Sequence, residues 1–496
     1  MPIAVVRPQA GDQVAKIVEI AARFKTPLYP ISTGRNWGYG AATPVQRGCT
    51  VVDLSDLRAI RFVDEQLGLI ELEPGVTQGM LHEFLDTRGL DWMVPVHGGG
   101  PDCSLLGNAL ERGYGLTPTT DHFAALTSLE AVLADGSTYQ SPFRKLGLDL
   151  IAAAHRWQIG PYVEGLFSQG NFGIVTRATF ELQRRPEHVE AFFLRLRDDS
   201  QLCAIVESLR TVLADLGGSI AGVNLMNDRR VLSMSRPYPV DQVEPGDIIS
   251  ESLCHQMTAS AGISRWTVAG VIHCPTDMRR TVRKLLWRRL PDSVSRPIHM
   301  NRRRVRVARA ITKRLPIGSR SVLQQIDSIE SLLDLADGIP RRVALPLAYW
   351  LRGEQPESSA ELNPARDGCG LLWYSPLVPM KQEFVEPYVQ MVESTCASFG
   401  IEPLFTLTTL SDRLFDSTVP ILYRPEEPGA IERAHACYAA LVAEGIKLGC
   451  VPYRMSTRTF AEGETPGTMS EATNLTKQLK DATDPNGLIA PGRYFL

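Results

Sequence analysis

Apolar positions in the first ~185 residues come in short runs cut by glycine. Val14 to Phe24 repeats its apolar residues at helical spacing and predicts a helix. Pro27-Leu28-Tyr29-Pro30 predicts a short strand entering a loop. Thr50 to Leu54 and Gly68 to Leu72 read as strands, and Gln78 to Leu85 as a short helix. Leu126 to Leu133, the turn Ala134-Asp135-Gly136-Ser137 and Thr138-Tyr139 read as a hairpin. A further strand runs from Gly173 through Leu182. Beyond Arg184-Arg185-Pro186-Glu187 the apolar period lengthens. It predicts helices over Gln201 to Leu213, Met278 to Leu290 and Gln382 to Phe399, with strands at Val343 to Trp350 and Gly370 to Tyr374 between them. The last ~45 residues return to glycine and proline. The order is α+β rather than a regular βαβ alternation. It divides the chain into 1–185, 186–445 and a C-terminal return at 446–496.

Composition narrows this picture. The chain has 496 residues and a formal net charge of -3, which gives no footing for a nucleic-acid partner. One basic run, Arg302-Arg303-Arg304 through Arg309, reads as a solvated or ion-paired face, with a polyanion site or a docking patch for an acidic protein as the alternatives. No run of ~18 apolar residues marks a membrane span, so no membrane partner is expected. The N-terminus lacks the order of a signal peptide. Nine scattered cysteines form no CxxC pair and no zinc spacing, so no metal site is expected. They read as reduced thiols of a cytoplasmic protein.

Candidate chemistry begins at Pro30-Ile31-Ser32-Thr33-Gly34-Arg35-Asn36-Trp37-Gly38-Tyr39-Gly40. Glycines at 34, 38 and 40 permit positive φ and close backbone approach. Successive N–H groups in such a turn form an anion-binding concavity, and Ser32, Arg35 and Asn36 add donors. A pyrophosphate suits it; a plain glycine-rich turn is the alternative. It is neither GxGxxG opening a helix nor a Walker loop.

Three more segments join it: Gly107-Asn108-Ala109-Leu110-Glu111-Arg112-Gly113-Tyr114-Gly115, Gly165 through Thr176, and Asp484 through Arg493. In this order and at these separations the chain resembles the vanillyl-alcohol oxidase / 4-cresol dehydrogenase flavoprotein family, from about Val5 to Arg493. The resemblance implies a two-subdomain PCMH-type FAD-binding domain. It also implies an α+β cap domain built on a large antiparallel sheet. Pro30 through Gly38 would hold the pyrophosphate, and Gly107 and Asn108 would line the flavin. Gly173, Ile174 and Val175 would run beside the adenosine half, and Arg493 would approach the flavin. His122 matches a family Asp-His pair and reads either as a cofactor contact or as an imidazole paired to Asp121.

The resemblance further implies that Tyr39, Tyr453 and Arg454 hold a phenolic oxygen. A guanidinium and two phenol hydroxyls in a dry pocket stabilise phenolate strongly. Phenolate pushes electron density to the para position, so hydride can leave the para benzylic carbon for flavin N5 and give a quinone methide. His97 and Asp102 are candidates for a base near N5. The expected reaction is oxidation of a small 4-substituted phenol, with O2 or a cytochrome as electron acceptor. Tailoring of another metabolite and a lapsed flavin-binding subunit are the rival readings. Relatives are often dimeric, so a homodimer is one expectation. The family's linking histidine aligns with Leu371, which has no nucleophile. Tyr374, Cys369 and Cys103 are the remaining candidates for a link, and non-covalent FAD is the expectation.

Overall fold

The computed structural model describes residues 2–314, 319–353, 361–461 and 474–495. The chain folds into two compact units. One comprises 1–115, 121–185 and 456–496; the other comprises 116–120 and 186–455.

In the first unit, β1 (Ala4–Val6), β2 (Leu28–Ile31) and β3 (Thr50–Asp53) form a parallel sheet in the order β1-β3-β2. The helix Gly11–Phe24 lies against it because Val14, Val18 and Ala21 share one face and bury with Leu28, Val52 and Ile174. β4 (Ile60–Asp64), β5 (Leu69–Leu72), β7 (Leu126–Val132), β8 (Thr138–Gln140) and β9 (Ile174–Glu181) form an antiparallel sheet in the order β4-β5-β9-β7-β8. A small ribbon pairs β6 (Trp92–Met93) with β10 (Gln183–Arg184). The predicted 126–139 hairpin forms, with Val132 opposite Thr138. The C-terminal segment returns beside β2: Leu28 N–H donates to the Leu488 carbonyl at 2.7 Å, and Ala490 N–H to the Leu28 carbonyl at 2.7 Å.

The second unit is organised by an eight-stranded antiparallel sheet. Its strands are β11 (His188–Leu196), β12 (Ile220–Asn227), β13 (Trp266–Cys274), β14 (Ile298–Met300), β15 (Gly370–Pro379), β16 (Thr406–Thr409), β17 (Leu414–Tyr423) and β18 (Val451–Arg454). Their order is β14-β11-β13-β12-β16-β17-β15-β18. Alternate strand residues (Leu225, Leu407, Phe415, Val419, Ile421) point into one large core, joined by Phe405 just ahead of β16. The helices Ser200–Leu216, Arg279–Arg289, Gln382–Ser398 and Ala430–Lys447 cover that face, through side chains such as Leu209, Leu286, Val392 and Leu441. Burying each such aliphatic side chain contributes roughly 1.5–3 kcal/mol.

Two details differ from what the sequence pattern predicts. Val343 to Trp350 is not a strand; Leu345–Arg352 is a 3-10 helix. Pro346 explains this, since proline has no N–H for a β-ladder but fits the first helical turn. The sheet also continues through β18 to Arg454, past position 445, because Ser375 of β15 pairs with Arg454. Among the described residues no helix is long and apolar enough to cross a membrane.

Candidate functional site

The 30–40 loop follows β2 and is built by its glycines. Gly34, Gly38 and Gly40 have φ of 65°, 77° and 111°. Tyr39 and Ala41 N–H both donate to the Asn36 carbonyl, at 3.1 and 2.9 Å, closing the turn. A Cβ on Gly40 would lie 2.0 Å from Thr457 Oγ1, so only glycine fits there. Thr457 N–H donates to the Tyr39 carbonyl at 3.0 Å, and Tyr39 is buried. The Arg35 guanidinium sits 5.5 Å from the Trp37 ring. Its Nη1 is buried with no hydrogen-bond partner among the described residues.

Gly107 and Asn108 lie on the short helix Leu105–Leu110, capped by Ser104, whose Oγ accepts from Gly107 N–H at 2.9 Å. A Cβ on Gly107 would come within 2.8 Å of Ser32 Oγ, so this helix and the glycine loop meet closely. Asn108 Nδ2 lies 2.6 Å from His122 Nδ1. An amide nitrogen only donates, so His122 carries its proton on Nε2. Nε2 is buried and has no partner among the described residues. Burial first, and the neighbouring His97 second, push the His122 pKa down to about 3. The His122 ring is therefore held by Asn108. The Asp121 carboxylate closes a local turn instead, accepting from Phe123 and Ala124 N–H at 2.9 and 3.0 Å.

His97 is held from its backbone by Gln78 Oε1 at 2.9 Å, and its ring centroid is 6.4 Å from that of His122. Gly99 N–H donates to His97 Nδ1 at 3.2 Å. Asp102 is half-buried in the following turn, ahead of the Ser104 cap. Gly173, Ile174 and Val175 lead into β9, where Ile174 pairs with Val132 and Val175 with Ala131. A Cβ on Gly173 would meet the Val132 carbonyl at 2.9 Å.

Arg493 is buried, and its guanidinium has partners: Nη2 meets Glu111 Oε1 at 2.5 Å and Nη1 donates to Tyr29 Oη at 2.8 Å. Burial works against its charge, but Glu111 and Tyr29 outweigh that and raise its pKa. It therefore also locks the C-terminal turn to the residue that ends the Leu105–Leu110 helix. Sequence reasoning missed a second lock. Buried Lys480 donates to Asp484 Oδ2 at 2.6 Å, to the Asn171 carbonyl at 2.5 Å and to the Ile489 carbonyl at 3.1 Å. Asp484 in turn accepts from Leu488 and Ile489 N–H, at 2.8 and 2.9 Å. The i, i+4 spacing of Lys480 and Asp484 was its only sequence signal.

In the second unit, Tyr453 and Arg454 end β18 and are half-buried. The same sheet carries polar residues on the face opposite the large core, which the sequence pattern also failed to show. Asn224 pairs in register with Thr408, and Thr408 with Asp416. Thr408 Oγ1 donates to Asn224 Oδ1 at 2.7 Å. Thr406, Thr408, Asp416 and Ser375 are all buried. Burying hydroxyls and a carboxylate on a sheet face is costly unless they are hydrogen-bonded, and the Thr408–Asn224 bond is one such compensation. Tyr374, on the opposite face, is fully buried against Tyr438 in the helix-packed core.

The first unit fits a phosphate-bearing cofactor. A positive-φ glycine turn, an unpartnered buried guanidinium nitrogen at Arg35 and an unpartnered buried N–H at His122 are the donors such a group would satisfy. The neutral His122 has a measurable consequence. Its folded pKa lies below the unfolded 6.5, so its contribution is intact above that pH. As pH falls below 6.5 the unfolded chain takes a proton that the folded chain refuses. Urea unfolding at pH 5 should read roughly 2 kcal/mol less stability from this group than at pH 7. In His122→Gln the difference between the two pH values should shrink by that amount.

Residues 2–141 match the family model described as "FAD binding domain". The chain is 31% identical over 493 residues to 1'-carboxy-chondrochloren decarboxylase of Chondromyces crocatus, covering 99% of this chain and 90% of that protein. It is 26% identical over 503 residues to the 4-cresol dehydrogenase [hydroxylating] flavoprotein subunit of Pseudomonas putida, covering 99% and 87%. Its fold matches p-cresol methylhydroxylase with substrate bound, at a TM-score of 0.85 and 24% identity over 99% of this chain and 88% of that one. It also matches 4-ethylphenol oxidase from Gulosibacter chungangensis, at 0.84 and 23% over 99% and 88%. The chain belongs to the vanillyl-alcohol oxidase / 4-cresol dehydrogenase family of FAD-dependent oxidoreductases, with a PCMH-type FAD-binding domain.

Proposed function

We propose that this oxidoreductase oxidises a 4-substituted phenol at its para benzylic carbon, using FAD held without a covalent bond. The observation that carries the reading is the presence of Tyr39, Tyr453 and Arg454 together. Thr457, whose N–H holds the Tyr39 carbonyl, lies three residues after Arg454 in the chain. Arg454 and the two tyrosine hydroxyls bind the phenolic oxygen and favour its phenolate form, because a charge-assisted donor set lowers the energy of the anion. FAD supplies the two-electron acceptor. Loss of hydride from the benzylic carbon turns the phenolate into a quinone methide. His97 and Asp102 are the proposed proton acceptors nearby, and Pro30 through Gly38 with Arg35 grip the pyrophosphate. Leu371 at the linking position and the buried Tyr374 support the non-covalent form.

A second outcome is favoured by the 31% identity to a protein named a decarboxylase. The first step is the same. When the substrate carries a carboxylate one carbon beyond the benzylic position, the quinone methide draws in the C–COO⁻ bond pair. CO2 leaves, the phenolate is restored and an alkene forms. Anaerobic mixing of the FAD-loaded protein with 4-ethylphenol and with 3-(4-hydroxyphenyl)propanoate distinguishes these. Bleaching of the flavin band by either supports phenol oxidation, and CO2 released with the propanoate supports the second outcome. A flavin left oxidised by both sets phenol oxidation aside.

A further inference from the structure

The arginine run singled out in the sequence takes no part in the proposed chemistry. It forms the helix Arg302–Thr312, capped by Asn301. Only its inner face is committed. Val305 and Thr312 are buried, Arg302 pairs with Asp334 at 2.7 Å and with Asp337, and Arg309 pairs with Asp327 at 2.7 Å and with Glu330. The carboxylate partners lie on or next to the helix Ser319–Ala336. The outer face is different. Arg303, Arg304, Arg306, Lys313 and Arg314 are exposed, and among the described residues none of them has a carboxylate partner. Between them, one turn apart, Val307 and Ile311 are 53% and 56% exposed.

We propose that this face docks on an anionic phospholipid surface, without spanning it. Spacings of three and four put Arg303, Val307, Ala310, Ile311 and Arg314 on one side. Aliphatic side chains thus sit in a ring of guanidinium groups. That is the composition of a helix lying in a headgroup layer: arginines meet lipid phosphates and the aliphatic pair enters the acyl boundary. The charge is a local exception, since the whole chain is net -3. An acidic protein would use the arginines but give no reason for two exposed β-branched residues among them.

The test is sedimentation of the FAD-loaded protein with two kinds of vesicle, phosphatidylcholine alone and phosphatidylcholine with phosphatidylserine. Binding is expected only to the second, and it should weaken with salt. Arg303→Glu with Arg306→Glu should lower the partition coefficient at least about tenfold. Val307→Ser with Ile311→Ser should also lower it, which a purely ionic contact would not do. Flavin content and turnover in solution should stay unchanged in both double variants. Absence of binding to the anionic vesicles, equal binding to both kinds, or binding indifferent to Val307 and Ile311 would overturn the proposal. Retention on polyglutamate without binding to vesicles would assign the face to an acidic protein instead.

Discussion

Arg454→Ala is expected to lower turnover of a 4-alkylphenol by roughly 100- to 1000-fold, the usual cost of removing one preorganised donor from a developing oxyanion. The loss should fall on kcat more than on KM. Arg454 is proposed to stabilise the phenolate, and that stabilisation is needed most as hydride leaves. Arg454→Lys should recover part of the rate, because it keeps the charge but loses the planar fork. Tyr39→Phe and Tyr453→Phe should each cost about tenfold or more, since each removes one neutral donor. Flavin content should be unchanged in Tyr453→Phe and Arg454→Ala, because both residues belong to β18, outside the FAD-binding unit. Steady-state kinetics with wild type and these variants check this. Turnover within about threefold of wild type in Arg454→Ala would not be compatible with loss of such a donor.

Lys480→Met should destabilise the FAD-binding unit by roughly 3–5 kcal/mol, the typical cost of breaking a buried ion pair on one side only. The reasons are local. Lys480 and Asp484 are both almost wholly buried, and removal of the ammonium leaves the carboxylate without its counter-charge. Asn171 and Ile489 carbonyls lose a donor at the same time. Burial pushes the Lys480 pKa down, and Asp484 pulls it back up, so the pair depends on both partners staying in place. The damage should reach the cofactor. Asp484 shapes the turn that delivers Leu488 and Ala490 to β2, and β2 runs directly into the glycine loop. Urea unfolding with flavin release as a second signal checks both effects. The variant should lose flavin at lower urea than wild type. A loss under about 1 kcal/mol would mean that the clamp relaxes without cost.

Much of the cofactor half was legible in the sequence because its requirements are local. Gly34, Gly38 and Gly40 need positive φ, and Gly40 also needs space against Thr457; these are demands that one residue type meets. The helices Gln382–Ser398 and Ser200–Leu216 followed from period alone. What the sequence hid depends on long-range pairing. Asn224, Thr408 and Asp416 look like the solvent side of ordinary strands, and only the register of β12, β16 and β17 lines them up as one polar row in which Thr408 and Asp416 are buried. Arg493 read as a cofactor contact, yet its pairing with Glu111 and Tyr29 becomes visible only once the C-terminal turn is folded back. Pro346 was the local signal that should have withdrawn the strand at Val343 to Trp350.

The proposed phenol oxidation rests on Tyr39, Tyr453 and Arg454 holding a phenolate. The ultraviolet difference spectrum of a 4-substituted phenol without benzylic hydrogen, such as 4-tert-butylphenol, reads that state when the ligand is bound to the FAD-loaded protein at pH 7. A free phenol titrates near pH 10 and is neutral there. A phenolate band is expected on binding to wild type, together with its loss in Arg454→Ala. A ligand bound as neutral phenol, or a phenolate band of equal strength in Arg454→Ala, would contradict the assignment.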